Sequence, residues 1–144
     1  MKKIMFIGSI GSGKTTLCQR VMGEDINYQK TQAAEFYSTM IDTPGEFVQH
    51  RRYYNALQTM AAEVEVIGLI SSVIEEELIF APNFALNFVK PCIGIVSKID
   101  LCNDKEDIER AKERLKLAGV EEIFLISSVD YTGISDLVNY LNRR

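Results

Sequence analysis

The sequence predicts an α/β fold, a three-layer sandwich with a mostly parallel sheet and helices on both faces. Two observations predict it. The first is the stretch Gly8-Ser9-Ile10-Gly11-Ser12-Gly13-Lys14-Thr15, which fits G-x-x-x-x-G-K-[ST] at every fixed position. It lies between a stretch that reads as a short buried strand, Lys2 to Ile7, and a helical pattern, Thr16 to Met22. Strand, loop, helix is the context that this phosphate-binding pattern requires. The second is the alternation of apolar, strand-like runs with helix patterns along the rest of the chain, which argues for crossovers between parallel strands.

After the first helix, Gly23 suits a stop and Glu24 to Lys30 reads as loop. Glu35 to Ile41 reads as a single strand delivering Asp42-Thr43-Pro44-Gly45. About 28 positions separate Lys14 from Asp42, which leaves little room for further strands. The edge hairpin is therefore expected to be missing or much reduced. Glu46 to His50 reads as loop. A helix is expected from about Arg51, with Tyr54, Leu57, Met60 and Ala61 at helical spacing. Val66 to Ile70 suits a central strand buried on both faces.

Glu75-Glu76-Glu77 reads as a solvated turn, because adjacent side chains do not converge on one ion. Pro82 opens a short helix near Asn83 to Phe88, and Pro91 ends that region. Cys92 to Val96 is a buried strand ending at Ser97-Lys98-Ile99-Asp100. Asp104 to Ala118 is an amphipathic helix with Ile108, Ala111, Leu115 and Ala118 on one face and a Glu106–Arg110 pair on the other. Gly119 closes it. Glu122 to Ile126 is the last strand. Gly133 to Asn142 is the last helix, with Ile134, Leu137, Val138 and Leu141 apolar.

Bulk properties set limits. The 144 residues suffice for one domain with a proper core, and 47% hydrophobic with 25% charged residues is ordinary globular composition. A net charge of −4 argues against a nucleic-acid partner, which calls for a basic face. No apolar run reaches the roughly 18 residues that a membrane span needs. Gly8 to Gly13 interrupts the apolar stretch a signal peptide would require. A cytoplasmic location is expected. Cys18, Cys92 and Cys102 lack a CxxC spacing, so neither a disulfide framework nor a zinc site is expected. His50 has no nucleophile motif beside it.

The chemistry-bearing motifs all follow expected strands, where ligands of open α/β sheets bind. In the phosphate loop, Gly8, Gly11 and Gly13 let backbone N–H groups turn inward, together with those of Ser9, Ser12 and Thr16. Lys14 reaches the β- and γ-phosphates, and Thr15 coordinates Mg²⁺. Asp42-Thr43-Pro44-Gly45 matches the D-x-x-G signature of small GTPases: Asp42 holds Mg²⁺ and the Gly45 N–H bonds the γ-phosphate. Thr31 is the candidate to complete the Mg²⁺ shell, with Thr39 second. Glu46 stands where many GTPases place the residue that orients water. Its charge near the γ-phosphate predicts slow hydrolysis.

Ser97-Lys98-Ile99-Asp100 resembles the guanine-recognition motif [N/T]-K-x-D. A carboxylate at Asp100 accepts from guanine N1–H and the 2-amino group, and adenine offers neither donor. Lys98 lies along the base. Ser97 departs from the pattern: it keeps a hydroxyl but lacks the amide that ties this motif to the phosphate loop and base. Looser guanine binding is expected, with ATP as the alternative nucleotide. Ser127-Ser128-Val129 resembles the element whose backbone N–H contacts guanine O6.

GSIGSGKTTL, KTQAAEFY, DTPGEF with RRYYNAL, and SKID together resemble the EutP/PduV family of ethanolamine- and propanediol-utilisation proteins, over essentially the whole chain. The resemblance implies a single Ras-like P-loop nucleotide-binding domain over residues 1–144. It also implies association with bacterial microcompartments, whose shell or enzyme proteins would be partners. Some members are described as acetate kinases. Three functions compete: a Mg²⁺-dependent GTP/GDP-binding protein with slow hydrolysis, a nucleotide-dependent acetate kinase, and a nucleotide-bound docking module for a microcompartment shell.

Overall fold

The computed structural model of the chain describes residues 2–9, 11–22, 35–36, 40–49, 51–76 and 79–143. Among these, the order is β1 (Ile4–Gly8), α1 (Lys14–Met22), β2 (Glu35–Phe36), β3 (Met40–Asp42), α2 (Glu46–Gln49), α3 (Tyr54–Ala61), β4 (Val66–Ser72), β5 (Cys92–Ser97), α4 (Lys105–Ala118), β6 (Glu122–Leu125) and α5 (Ile134–Leu141). Short 3-10 turns cover Arg51–Tyr53, Phe84–Asn87 and Ile99–Leu101.

The strands form a six-stranded sheet in the order β2-β3-β1-β4-β5-β6. Every pairing is parallel except β2 with β3, which is antiparallel. Alternate residues of the central strand face opposite layers, as a period of two requires. Ile4 and Phe6 pack with Leu17 and Cys18 of α1 and with Ile134, Leu137 and Leu141 of α5. Met5 and Ile7 pack with Leu57 and Ala61 of α3 and with Ala111, Leu115 and Ala118 of α4. Two cores, one on each face, make the three layers. The Lys2 N–H donates to the Leu141 carbonyl at 2.7 Å, joining the entry to β1 with the end of α5.

Local chemistry sets the ends. The Asp104 carboxylate accepts from the Glu106 and Asp107 N–H groups and caps α4. Gly119 closes α4 at φ +97°. Gly133 precedes α5 at φ +78°, and a Cβ there would sit 2.1 Å from the Leu125 carbonyl oxygen.

Four sequence expectations are corrected. The stretch read as one strand before Asp42 contains two, β2 and β3, paired as an antiparallel edge; the hairpin is reduced but present. Glu46 opens the short helix α2 rather than a loop, with the Phe47 N–H bonded to the Pro44 carbonyl at 3.1 Å. Arg110 pairs with Asp107 at 3.3 Å, one residue nearer than Glu106. The acidic turn is not wholly solvated: Glu75 is half-buried, its carboxylate accepts from Ser9 Oγ at 2.9 Å, and Arg114 bonds the carbonyls of Glu75 and Glu76. Gly23, His50, Glu77 and the Thr39 alternative lie outside the described residues.

Candidate nucleotide site

The C-terminal ends of β1, β3, β5 and β6 meet along one edge of the sheet. Parallel pairing guarantees this, because every such strand runs the same way. The loop after β1 turns on Gly11 at φ +81° and Gly13 at φ +96°, a region that side-chain-bearing residues rarely adopt. Gly8 is required for a different reason: a Cβ there would meet Ser12 Oγ at 2.7 Å and the Ile70 carbonyl oxygen at 3.0 Å. Ser9 and Ser12 are buried beneath the loop, and Gly11 is exposed on it.

Lys14 opens α1 and is buried. Its Nζ donates to the Gly8 carbonyl at 2.9 Å and the Ser9 carbonyl at 3.0 Å. Burial pushes this ammonium down to about 8, against the opposing pull of the Asp42 carboxylate. Thr15 Oγ1 donates to Asp42 Oδ2 at 2.6 Å, joining the first turn of α1 to the end of β3. Asp42 and Thr43 are fully buried, and Thr43 Oγ1 donates to the Phe6 carbonyl at 2.8 Å. Gly45 is buried at the end of this turn, and Thr16 is half-buried in the first turn of α1.

These residues fit a phosphate–magnesium group. The Thr15 hydroxyl and Asp42 carboxylate are an oxygen donor set suited to a hard cation. Among the described residues no cluster of three His, Cys, Asp or Glu side chains forms, so phosphate oxygens and water would complete a magnesium shell. The Ser12 hydroxyl is buried inside the loop with no hydrogen-bond partner, an orphan polar group of the kind that a bound ligand or water satisfies. Thr31, the candidate third ligand, lies outside the described residues.

The base side is built by β5 and β6. Ser97 Oγ donates to the Ser12 carbonyl at 2.5 Å. The hydroxyl that serine keeps thus spans to the phosphate loop. Lys98 adopts φ +60° and sends Nζ to the Gly11 carbonyl at 2.5 Å. Asp100 is exposed, and its Oδ1 accepts from the buried Ser127 Oγ at 2.8 Å. Ser128 is half-buried and Val129 is exposed. The structure thus ties Ser97 and Lys98 to the phosphate loop and Asp100 to Ser127. Sequence reading missed two members of this neighbourhood. Glu75 was legible only as an acidic run following β4. Arg20, whose Nε donates to the Ser128 carbonyl at 2.8 Å, carries no sequence signal beyond its place on α1.

Tyr53 stacks on Phe47 with ring centroids 4.7 Å apart, and Tyr54 packs edge-on against Phe84. Arg52 lies over Tyr53 and donates to its hydroxyl at 3.1 Å.

The model for the PduV-EutP family, described as ethanolamine utilisation – propanediol utilisation, matches residues 1–143. The chain is 38% identical over 144 residues to a propanediol utilization protein PduV from Citrobacter freundii, covering 100% of this chain and 95% of that protein. It is 35% identical over 144 residues to a protein named probable acetate kinase EutP from Escherichia coli (strain K12), covering 98% of this chain and 89% of the other. Among solved structures it resembles Aquifex aeolicus Era bound to GDP and AlF4−, with a TM-score of 0.70 and 20% identity. That likeness covers 98% of this chain but 56% of the Era chain, so this chain spans about half of that length, and the likeness is one of fold. No helix among the described residues is long and apolar enough to cross a membrane.

Proposed function

The chain belongs to the PduV-EutP family of ethanolamine and propanediol utilisation, and on that premise we propose that it is a magnesium-dependent GTP-binding protein with slow GTP hydrolysis. The observation that carries the reading is the tie between base side and phosphate loop: Ser97 to Ser12, Lys98 to Gly11, and Ser127 holding Asp100. A carboxylate fixed in this way suits a partner with two adjacent donors, such as guanine N1–H and its 2-amino group. Residues 1–144 act as one nucleotide-binding domain.

Gly8, Ser9, Gly11, Ser12, Gly13 and Thr16 line the phosphates with backbone N–H groups. Lys14 exchanges its carbonyl contacts for phosphate oxygens, where its charge is better matched. Thr15 and Asp42 would hold Mg²⁺, which would neutralise phosphate charge. The Gly45 N–H bonds the γ-phosphate. Glu46 orients water weakly because its charge opposes the phosphate's, and turnover is slow. In the family's pathway the protein acts as a nucleotide-dependent factor at a microcompartment, docking on shell or enzyme proteins.

The acetate kinase reading is supported by the name that relatives from Escherichia coli and Salmonella carry, probable acetate kinase EutP. The experiment that tests both is competition of GTP against ATP for nucleotide-free protein with Mg²⁺, followed by turnover with and without acetate. A GTP preference above about tenfold, or about 1.4 kcal/mol, is expected, with no acetyl phosphate formed. Equal binding with acetate-dependent turnover would overturn the proposal in favour of the kinase.

A further inference from the structure

We propose that Arg20 is a positioning residue for base readout, holding the loop of residues 127–131 so that the Val129 N–H is presented to guanine O6. This rests on the guanine-nucleotide reading above. Arg20 stands in the last turn of α1, the helix that begins with Lys14 and Thr15. Its Nε donates to the Ser128 carbonyl at 2.8 Å, and its Nη1 donates to the Tyr131 hydroxyl. The guanidinium carbon lies 4.5 Å from the centroid of the Tyr131 ring. One planar fork therefore grips a backbone carbonyl and an aromatic side chain at once, which a lysine could not reproduce.

The Ser128 carbonyl and the Val129 N–H belong to one trans peptide unit, so they point in opposite directions. With the carbonyl drawn to α1, the Val129 N–H is turned away from α1. Val129 itself is 71% exposed and so does not anchor this peptide in the core. The next turn is strained: Tyr131 sits at φ +66°, which a bulky residue rarely adopts. The Ser127 N–H bonds the Thr132 carbonyl at 3.0 Å, and the Asp130 carboxylate accepts from the Thr132 N–H and hydroxyl. Ser127 fixes Asp100 at one end of the loop while Arg20 fixes the other. The same helix that opens at the phosphates thus sets the direction of a base contact.

The test measures binding of GTP, 6-thio-GTP, ITP and ATP to the full chain with Mg²⁺. Replacing O6 by sulfur weakens one acceptor and leaves both donors to Asp100; ITP lacks the 2-amino group and keeps O6. The wild type is expected to favour GTP over 6-thio-GTP by roughly two- to tenfold, the worth of one hydrogen bond. Arg20→Ala is expected to erase that preference and keep the preference for GTP over ITP. A mere staple would weaken all four nucleotides alike. If Arg20→Ala fails to fold, Arg20→Gln and Tyr131→Phe serve, each lowering the GTP to 6-thio-GTP ratio. An unchanged ratio in these variants, or no such ratio in a wild type that prefers GTP to ATP, overturns the inference alone. A wild type with no preference for GTP over ATP overturns the guanine reading and the inference with it.

Discussion

The Ser97 hydroxyl donates to the Ser12 carbonyl across 2.5 Å, joining the end of β5 to the phosphate loop through two buried residues. Ser97→Ala removes the donor and leaves a buried acceptor poorly satisfied. The expected cost is about 1–3 kcal/mol, read as a lower Tm and weaker nucleotide binding. Ser97→Thr keeps the hydroxyl and is expected to match the wild type in both. Equal values for Ser97→Ala and wild type would show that the contact carries no weight.

Asp42 meets Thr15 at 2.6 Å, at a point where a cation has only oxygen to bind. In the wild type Mg²⁺ is expected to raise GTP affinity. In Asp42→Asn most of that gain disappears, a loss of roughly 10–100-fold in apparent magnesium affinity. Binding measured with a chelator present is expected to change little. Titration of Mg²⁺ at fixed GTP reads both.

Gly133 admits no side chain. A Cβ would lie 2.1 Å from the Leu125 oxygen, and φ is +78°. Gly133→Ala is expected to cost at least about 1–3 kcal/mol from backbone strain alone, with the clash added. Thermal melting should show this independently of nucleotide. A melting curve like that of the wild type would mean that the turn before α5 is built differently.

Burial, with the Glu121 carboxylate second, pushes the Cys92 thiol up from 9.0 to about 12. The folded protein keeps this proton where the unfolded chain has lost it. The stability it contributes is whole below pH 9.0 and drains as pH rises towards about 12. Between pH 8 and pH 10.5, the Tm of the wild type should therefore fall further than that of Cys92→Ala. At neutral pH a maleimide should modify half-buried Cys102 before buried Cys18 and Cys92; mass spectrometry of the labelled peptides decides.

Much of the fold was legible because parallel strands buried on both faces leave continuous apolar runs, as in Ile4 to Ile7 and Cys92 to Val96. The phosphate loop was legible because its glycines answer to fixed backbone demands. The reduced edge hairpin was legible from the short span before Asp42, but its division into β2 and β3 was not, since both are so short that their residues merge into a single run. α2 escaped for the same reason: four residues carry no helical period. The hydroxyl of Ser97 was legible but its reach to Ser12 was not, because a motif records the usual atom and not the distance to be spanned. Arg20 was invisible because its partners, the Ser128 carbonyl and the Tyr131 side chain, lie more than 100 residues away in sequence.

The contact between the Lys2 N–H and the Leu141 carbonyl joins regions that leave the ribosome far apart in time. At about 5–20 residues per second, on the order of ten seconds separates synthesis of the phosphate loop from that of Ser127 to Val129. A nascent chain stopped before β6 would carry Lys14 and Thr15 yet nothing to hold Asp100. On the guanine reading, base selectivity is then a late acquisition of the growing chain. Nucleotide could guide the earlier stages only through its phosphates.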